Sequence, residues 1–162
     1  MLISKELSAA INAQIGNELA ASNQYLSIAS YFEGRTLQKF AGFFFAQAAE
    51  EHEHAMKFLH YLLEVGAEVK IPEIKAPRPT FESAEDAVQA ALTWETEVTK
   101  QIYGLVEIAQ KNKDYISQQF LNWFVKEQLE EISSMETLLA LVRMAGSNLL
   151  MLEPRLAELR ED

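Results

Sequence analysis

Residues 50–56, EEHEHAM, place three glutamates and two histidines in five consecutive positions. Glu51 and His54 are three apart, and residues three apart on an α-helix share a face. A carboxylate and an imidazole on one face can bind a metal ion, hold a proton or pair with each other. Three further glutamates help decide between these, because each interrupts an apolar pattern. Glu18 lies between Ile11, Ile15 and Tyr25, Ala29, Phe32, while Glu95 lies between Ala91 and Val98. Glu131 lies between Phe124 and Met135, with Gln128 one step before it. Each takes a seam position where a helix in a bundle faces its neighbours.

The elements that must position these side chains are four long helical patterns. The first runs from about Lys5 to Phe32, with Ser4 as N-cap, and stops at Gly34. The second runs from about Leu37 to Val65, with Thr36 as its cap, and stops at Gly66. The third starts at Ser83, where SAED resembles a capping box with Asp in place of Glu, and ends near Lys113. The fourth runs from about Asp114 to Gly146. Residues 147–162 are rich in leucine and predict a short fifth helix over about 148–161, with Pro154 starting or kinking it. No segment reads as a strand.

Residues 66–82 contain three prolines and read as an extended connection. Fully extended they reach about 55 Å, enough to return along a helix of about 43 Å. The second and third helices are therefore parallel, and each short turn joins an antiparallel pair. The expected fold is all-α, a four-helix bundle over about 5–146 with one long crossover, in a single domain spanning 1–162.

The glutamates then agree in level. Glu18 lies 17 residues before Arg35 and Glu51 lies 16 after it; Glu95 and Glu131 each lie 18 from Lys113. All four fall in one layer within about 3 Å of helix rise. Four unpaired carboxylates in an apolar interior would repel and cost several kcal/mol each in desolvation. No Lys or Arg stands in the seams to pair with them, which leaves bound metal cations bridged by carboxylates. Oxygen donors with one imidazole suit iron or manganese better than copper. The complete absence of Cys removes the usual structural zinc geometry and any iron–sulfur cluster. Glu51 and His54 point inward as ligands, His52 and Glu53 turn away, and His60 reads as ordinary surface.

Composition narrows the partners. A formal charge of −10 argues against nucleic acid and anionic membranes and leaves cations as guests. No apolar run approaches the length that spans a bilayer. The opening MLISKEL has no charged leader before a long apolar stretch, so a soluble cytoplasmic location is expected.

The sequence resembles the ferritin family of iron-storage proteins, specifically the prokaryotic non-haem ferritins, over essentially its whole length. The resemblance is carried by Glu18 and Tyr25 in NELAASNQY, the run EEHEH, Glu95 in TWETEV and KEQLEE at 126–131. It implies a ferroxidase centre that oxidises Fe(II) with O2 or peroxide. In that centre Glu18, Glu51 and His54 bind a first iron, and Glu51 bridges to a second held by Glu95 and Glu131, with Gln128 beside it. A third iron site would use Glu50, Glu127 and Glu130. Tyr25 and Trp123 correspond to aromatic residues near the centre that can donate electrons. The family stores the product as a mineral inside a 24-subunit homo-oligomeric cage. The tail helix would line its four-fold axes, with Leu149, Leu150 and Leu152 as apolar contacts. Bacterioferritins place a haem-ligating Met after the bridging glutamate; here that position is His52, so no haem is expected.

Overall fold

The computed structural model describes residues 2–160. Four helices, α1 (Lys5–Glu33), α2 (Gln38–Glu64), α3 (Ala84–Lys111) and α4 (Tyr115–Ala145), form the bundle, and no strand occurs among the described residues. α1 packs on α2, α3 on α4, and α1 on α3. Side chains satisfy the orphan N–H groups at three helix starts. Ser4 Oγ accepts from Leu7 N at 3.1 Å, Ser83 Oγ from Asp86 N at 3.0 Å, and Asp114 Oδ1 from Ser117 N at 2.9 Å.

The start of α2 differs from the sequence expectation. Its N-cap is Leu37, which offers no side-chain bond. Thr36 instead reverses the chain in the left-handed region at φ 63°. Thr36 N and Leu37 N close the turn on Glu33 O and Phe32 O, at 3.0 and 3.1 Å. Lys113 does the same at the other hairpin with φ 53°, so α3 ends two residues before it. The missing cap on α2 comes from far along the chain, where Glu153 Oε2 accepts from Phe40 N at 3.1 Å. A carboxylate at a helix N-terminus also meets the positive end of the helix dipole.

Glu153 belongs to the tail. The short C-terminal helix is present, wound as three 3-10 segments, Leu149–Met151, Glu153–Arg155 and Ala157–Arg160. Residue 161, where the sequence places its end, lies outside the described residues, as does 162. Pro154 has no N–H to give and stands at the start of the second segment. Leu152 and Leu156 are buried and Leu149 is packed against the same core, while Leu150 and Met151 are exposed. Of the three leucines expected to make an apolar contact on a symmetry axis, two therefore turn inward onto their own subunit.

The crossover runs along α1, held by paired amide contacts. Asn12 Nδ2 donates to Glu68 O at 2.9 Å and its Oδ1 accepts from Lys70 N at 2.6 Å. Gln24 repeats this with Arg78, at 3.2 Å to the carbonyl and 2.9 Å from the N–H. Each amide satisfies one backbone donor and one acceptor of a segment with no sheet partner. Between the two clamps Gly16 lets the connection approach closely: a Cβ there would lie 2.3 Å from Pro72 Cγ.

The interior divides into two apolar clusters. One, around Tyr25, Phe32, Phe40, Phe44 and Leu138, fills the end with the α1–α2 turn. The other, around Ile11, Phe58, Leu62, Ile102 and Phe124, fills the opposite end. Between them lies a polar layer.

Gly16→Ala is expected to destabilise the protein by about 1–3 kcal/mol through the clash with Pro72, reversing the gain of about 1 kcal/mol that Ala normally brings to a helix. Denaturant unfolding of Gly16→Ala, with and without Pro72→Ala, checks this. Stability that rises in the single variant would mean that the crossover does not constrain α1 here.

Candidate metal centre

The polar layer contains every residue that interrupts the seams. Glu18, Glu51, His54, Glu95, Gln128 and Glu131 are all buried, the four glutamates at 0–4% exposure. α1 contributes Glu18, α2 Glu51 and His54, α3 Glu95, and α4 Gln128 and Glu131. Ligand atoms of Glu18, Glu51 and His54 lie within 4.8 Å of one another, as do those of Glu51, Glu95 and Glu131. The two triads share Glu51, so its carboxylate stands where it can bridge two cations. His54 Nδ1 lies 3.3 Å from Glu51 Oε2 and 3.7 Å from Glu18 Oε2.

Neutral donors orient the carboxylates. Gln14 Nε2 donates to Glu18 Oε1 at 2.9 Å, and Gln47 Nε2 to Glu131 Oε2 at 2.8 Å. Gln128 Nε2 donates to Glu95 Oε2 at 3.1 Å, and Tyr25 Oη donates to Glu95 Oε1. Amides and a phenol fix geometry without neutralising charge. Two buried oxygens, Glu18 Oε2 and Glu51 Oε1, have no hydrogen-bond partner. Unsatisfied carboxylate oxygens are costly in a dry interior, and both belong to residues of the first triad.

The charges are strongly coupled. Burial, and then the Glu95 and Glu18 carboxylates, push Glu51 well above the usual carboxylate range. Burial raises Glu95 too, against hydrogen bonds from Tyr25 and Gln128. Glu131 is pushed up to about 9 by burial and by Glu95, against its bond from Gln47. Burial lowers the affinity of His54 for a proton, but the neighbouring carboxylates of Glu18, Glu127 and Glu95 outweigh it and the net shift is upward. Burial, followed by the Glu95 and Glu51 charges, holds the Tyr25 phenol well above its ordinary value. Glu51, Glu95 and Glu131 therefore hold their protons more tightly than exposed carboxyls do.

The remaining sequence candidates are arranged differently. Glu50 and Glu127 are half-buried and Glu130 is exposed. With Gln47 and Glu131 they line a cleft of about 630 Å³ that opens the layer to the surface between α2 and α4. The cation-sized group that includes Glu127 joins it to His54 and Glu131 rather than to Glu50 and Glu130. Glu127 Oε1 is 3.9 Å from His54 Nε2. Trp123 meets the His54 ring edge-on at 5.4 Å, is 39% exposed, and lies under the Lys57 ammonium, 3.2 Å from the ring centroid. His52, Glu53 and His60 face outward. Sequence reasoning missed Gln14 and Thr99. Gln14 stands four residues before Glu18, a spacing that puts an amide beside a carboxylate on one face. Thr99 Oγ1 receives Gln128 Nε2 at 3.0 Å and had no comparable signal.

Known proteins share this arrangement of helices. A profile of the ferritin family, described as ferritin-like domain, matches residues 8–145. Ferritin BfrB of Mycolicibacterium smegmatis is 43% identical over 145 residues, covering 90% of this chain and 80% of that protein. The bacterial non-heme ferritin of Staphylococcus haemolyticus is 39% identical over 136 residues, covering 84% and 82%. Among solved structures, an open-pore ferritin from the hyperthermophilic archaeon Archaeoglobus fulgidus superposes with a TM-score of 0.93 at 35% identity, covering 96% of each chain. With sequence profile, relatives and solved structure all in agreement, this chain belongs to the ferritin family, among its prokaryotic members.

Proposed function

We propose that the chain oxidises Fe(II) to Fe(III) at its carboxylate layer and stores the product as a ferric mineral inside a cage. The observation that carries this reading is the pair of buried triads sharing Glu51, with two carboxylate oxygens left open. Glu18, Glu51 and His54 take one iron, and Glu51, Glu95 and Glu131 take the other. Gln128 stands beside the second iron and holds Glu95 from the side through its Nε2. Iron is the substrate here, and O2 or peroxide accepts one electron from each ion. The chain's own part is placement, exclusion of water and release of protons.

Asymmetry fits iron in transit. The first triad includes an imidazole; the second has carboxylates only, with Gln128 and Glu131 on α4 where many di-iron bundles carry a second Glu-x-x-His. Glu127 lies beside both His54 and Glu131 at the cleft, with Glu50 and Glu130 further out. A third iron position lies at Glu127 beside His54 and Glu131, and Glu50 and Glu130 line the route by which product leaves for the mineral. The chain works as a single domain in a 24-subunit homo-oligomer in the cytoplasm. No helix among the described residues is long and apolar enough to cross a membrane, and His52, where bacterioferritins place a haem-ligating Met, argues against haem.

Size exclusion after adding a few tens of Fe(II) per chain in air tests the storage reading. Iron should elute with protein, far above three per chain, in a particle of several hundred kilodaltons. Two or three irons per chain in a small oligomer would instead leave a di-iron redox enzyme.

Glu51→Ala removes the shared carboxylate and should slow the initial Fe(II) oxidation at least about tenfold, a lower bound set by groups that only orient metal ligands. Glu130→Ala should leave that fast phase intact and slow later mineral growth. Stopped-flow absorbance distinguishes the two variants, and equal effects on the fast phase would sink the assignment.

The raised carboxyls also link stability to pH. A carboxyl whose folded value lies above its unfolded one stabilises the fold at pH below the unfolded value, and that contribution is lost as pH rises through the folded one. For Glu131 the window runs from about 4.5 to about 9. Thermal midpoints of chelator-treated protein should therefore fall as pH is raised through this window, and redox-inert Zn²⁺ should abolish the slope. An identical slope with and without Zn²⁺ would show that the layer does not exchange protons for cations.

A further inference from the structure

Amide side chains hold the carboxylates of the layer, and an amide can be seated in two ways. A half turn about its last bond exchanges a donor for an acceptor with almost no change of shape. An amide therefore orients a carboxylate only when something else fixes which end faces it. On α1 Asn17 does this: its Nδ2 donates to Gln14 Oε1 at 3.1 Å, which leaves Gln14 Nε2 for Glu18 Oε1. On α4 the amide is Gln128, whose Nε2 meets Thr99 Oγ1 at 3.0 Å, Glu95 Oε2 at 3.1 Å and Glu95 O at 3.3 Å.

Of these partners Thr99 is the one that sets the orientation. Its hydroxyl has a single proton, which it donates to Glu95 O at 2.8 Å, and a backbone carbonyl can only accept. Thr99 Oγ1 therefore has only lone pairs to offer Gln128. A flipped amide would set its oxygen against those lone pairs and against the Glu95 carboxylate at once. The bond crosses from α4 to α3 between a half-buried hydroxyl and an amide that is 3% exposed, so water has little access to replace it.

Glu95 alone is an inconstant anchor for the amide. Its carboxylate belongs to the second triad, and a carboxylate that takes up a cation shares its oxygens with the metal. Thr99 belongs to neither triad, so its hold on Gln128 does not depend on what the triad contains.

We infer that Thr99 is a positioning residue for the second metal position, acting through Gln128. Its hydroxyl keeps the amide N–H toward Glu95, and that N–H holds the Glu95 carboxylate where it converges with Glu51 and Glu131. The inference rests on the iron-oxidising reading above and deepens it by one residue. It is also selective, because Glu18 and His54 make no bond to Thr99 or Gln128 and take their orientation from elsewhere.

Equilibrium dialysis of assembled, chelator-treated protein against Fe(II) under argon tests the assignment. Loss of a binding step in Glu131→Ala identifies the step that belongs to the second triad. Thr99→Val keeps the shape without the hydroxyl and should weaken that step at least about tenfold, the lower end for groups that orient metal ligands. The step at Glu18, Glu51 and His54 should be unchanged. Thr99→Ala should match Thr99→Val, and Thr99→Ser, which restores the acceptor, should bind as the wild type does. In a Gln128→Leu background Thr99→Val should add nothing further. An unchanged second step in Thr99→Val, equal weakening of both steps, or a Thr99→Ser variant as weak as Thr99→Val would overturn the inference. Failure of the iron-oxidising reading would look different: on admission of air Fe(III) would form at the same rate in the wild type and in Glu51→Ala.

Discussion

Taking an ionised carboxylate out of water costs several kcal/mol, and this bundle buries four at one level. The rest of the structure is organised around that cost. The apolar interior is split into two clusters so that the layer has a place, and each cluster closes one end of the bundle against solvent. Gln14, Gln47, Gln128 and Tyr25 aim the carboxylates without cancelling their charge. A lysine or arginine in any of these positions would give a more comfortable interior by pairing with the carboxylates. The layer is thus a local sacrifice of stability, which long helices packed on both sides can sustain.

The helices, their parallel or antiparallel sense and the layer itself were legible in the sequence because each follows from counting. Helix rise and seam period are fixed by backbone geometry, so four glutamates equidistant from two turns had to meet. The turns were less legible. Thr36 looked like a cap but carries the left-handed reversal, and the cap it was expected to provide comes from Glu153. Such a bond depends on where the tail docks, which local pattern does not encode. The same limit applies to Leu149 and Leu152, whose apolar character suited either a neighbouring subunit or their own core. Gln14 was readable by its spacing from Glu18. Thr99 was not, because a threonine on a helix most often bonds its own backbone, as this one also does to Glu95 O at 2.8 Å.

The crossover shows how a long connection can be ordered without becoming a sheet or a salt-bridge ladder. Two amide side chains on α1, twelve residues apart, each pair with one N–H and one C=O of the extended chain. These bonds are neutral and insensitive to salt, which suits a chain with a charge of −10. Arg78 continues the same economy, since its backbone meets Gln24 and Ser27 while its guanidinium holds Asp86 at the start of α3. The end of the crossover and the beginning of the third helix are therefore one joint.

The two helical hairpins do not contribute equally. Glu18, Glu51 and His54 all come from α1 and α2, so the first hairpin carries a complete triad by itself. α3 and α4 bring Glu95 and Glu131 and must borrow Glu51 to complete the second. The molecule is in this sense a self-sufficient half joined to a dependent one. Duplicating the first hairpin would give two separate triads, and duplicating the second would give none. The pairing of the two triads is a property of the junction, created only where the halves meet across a single shared carboxylate.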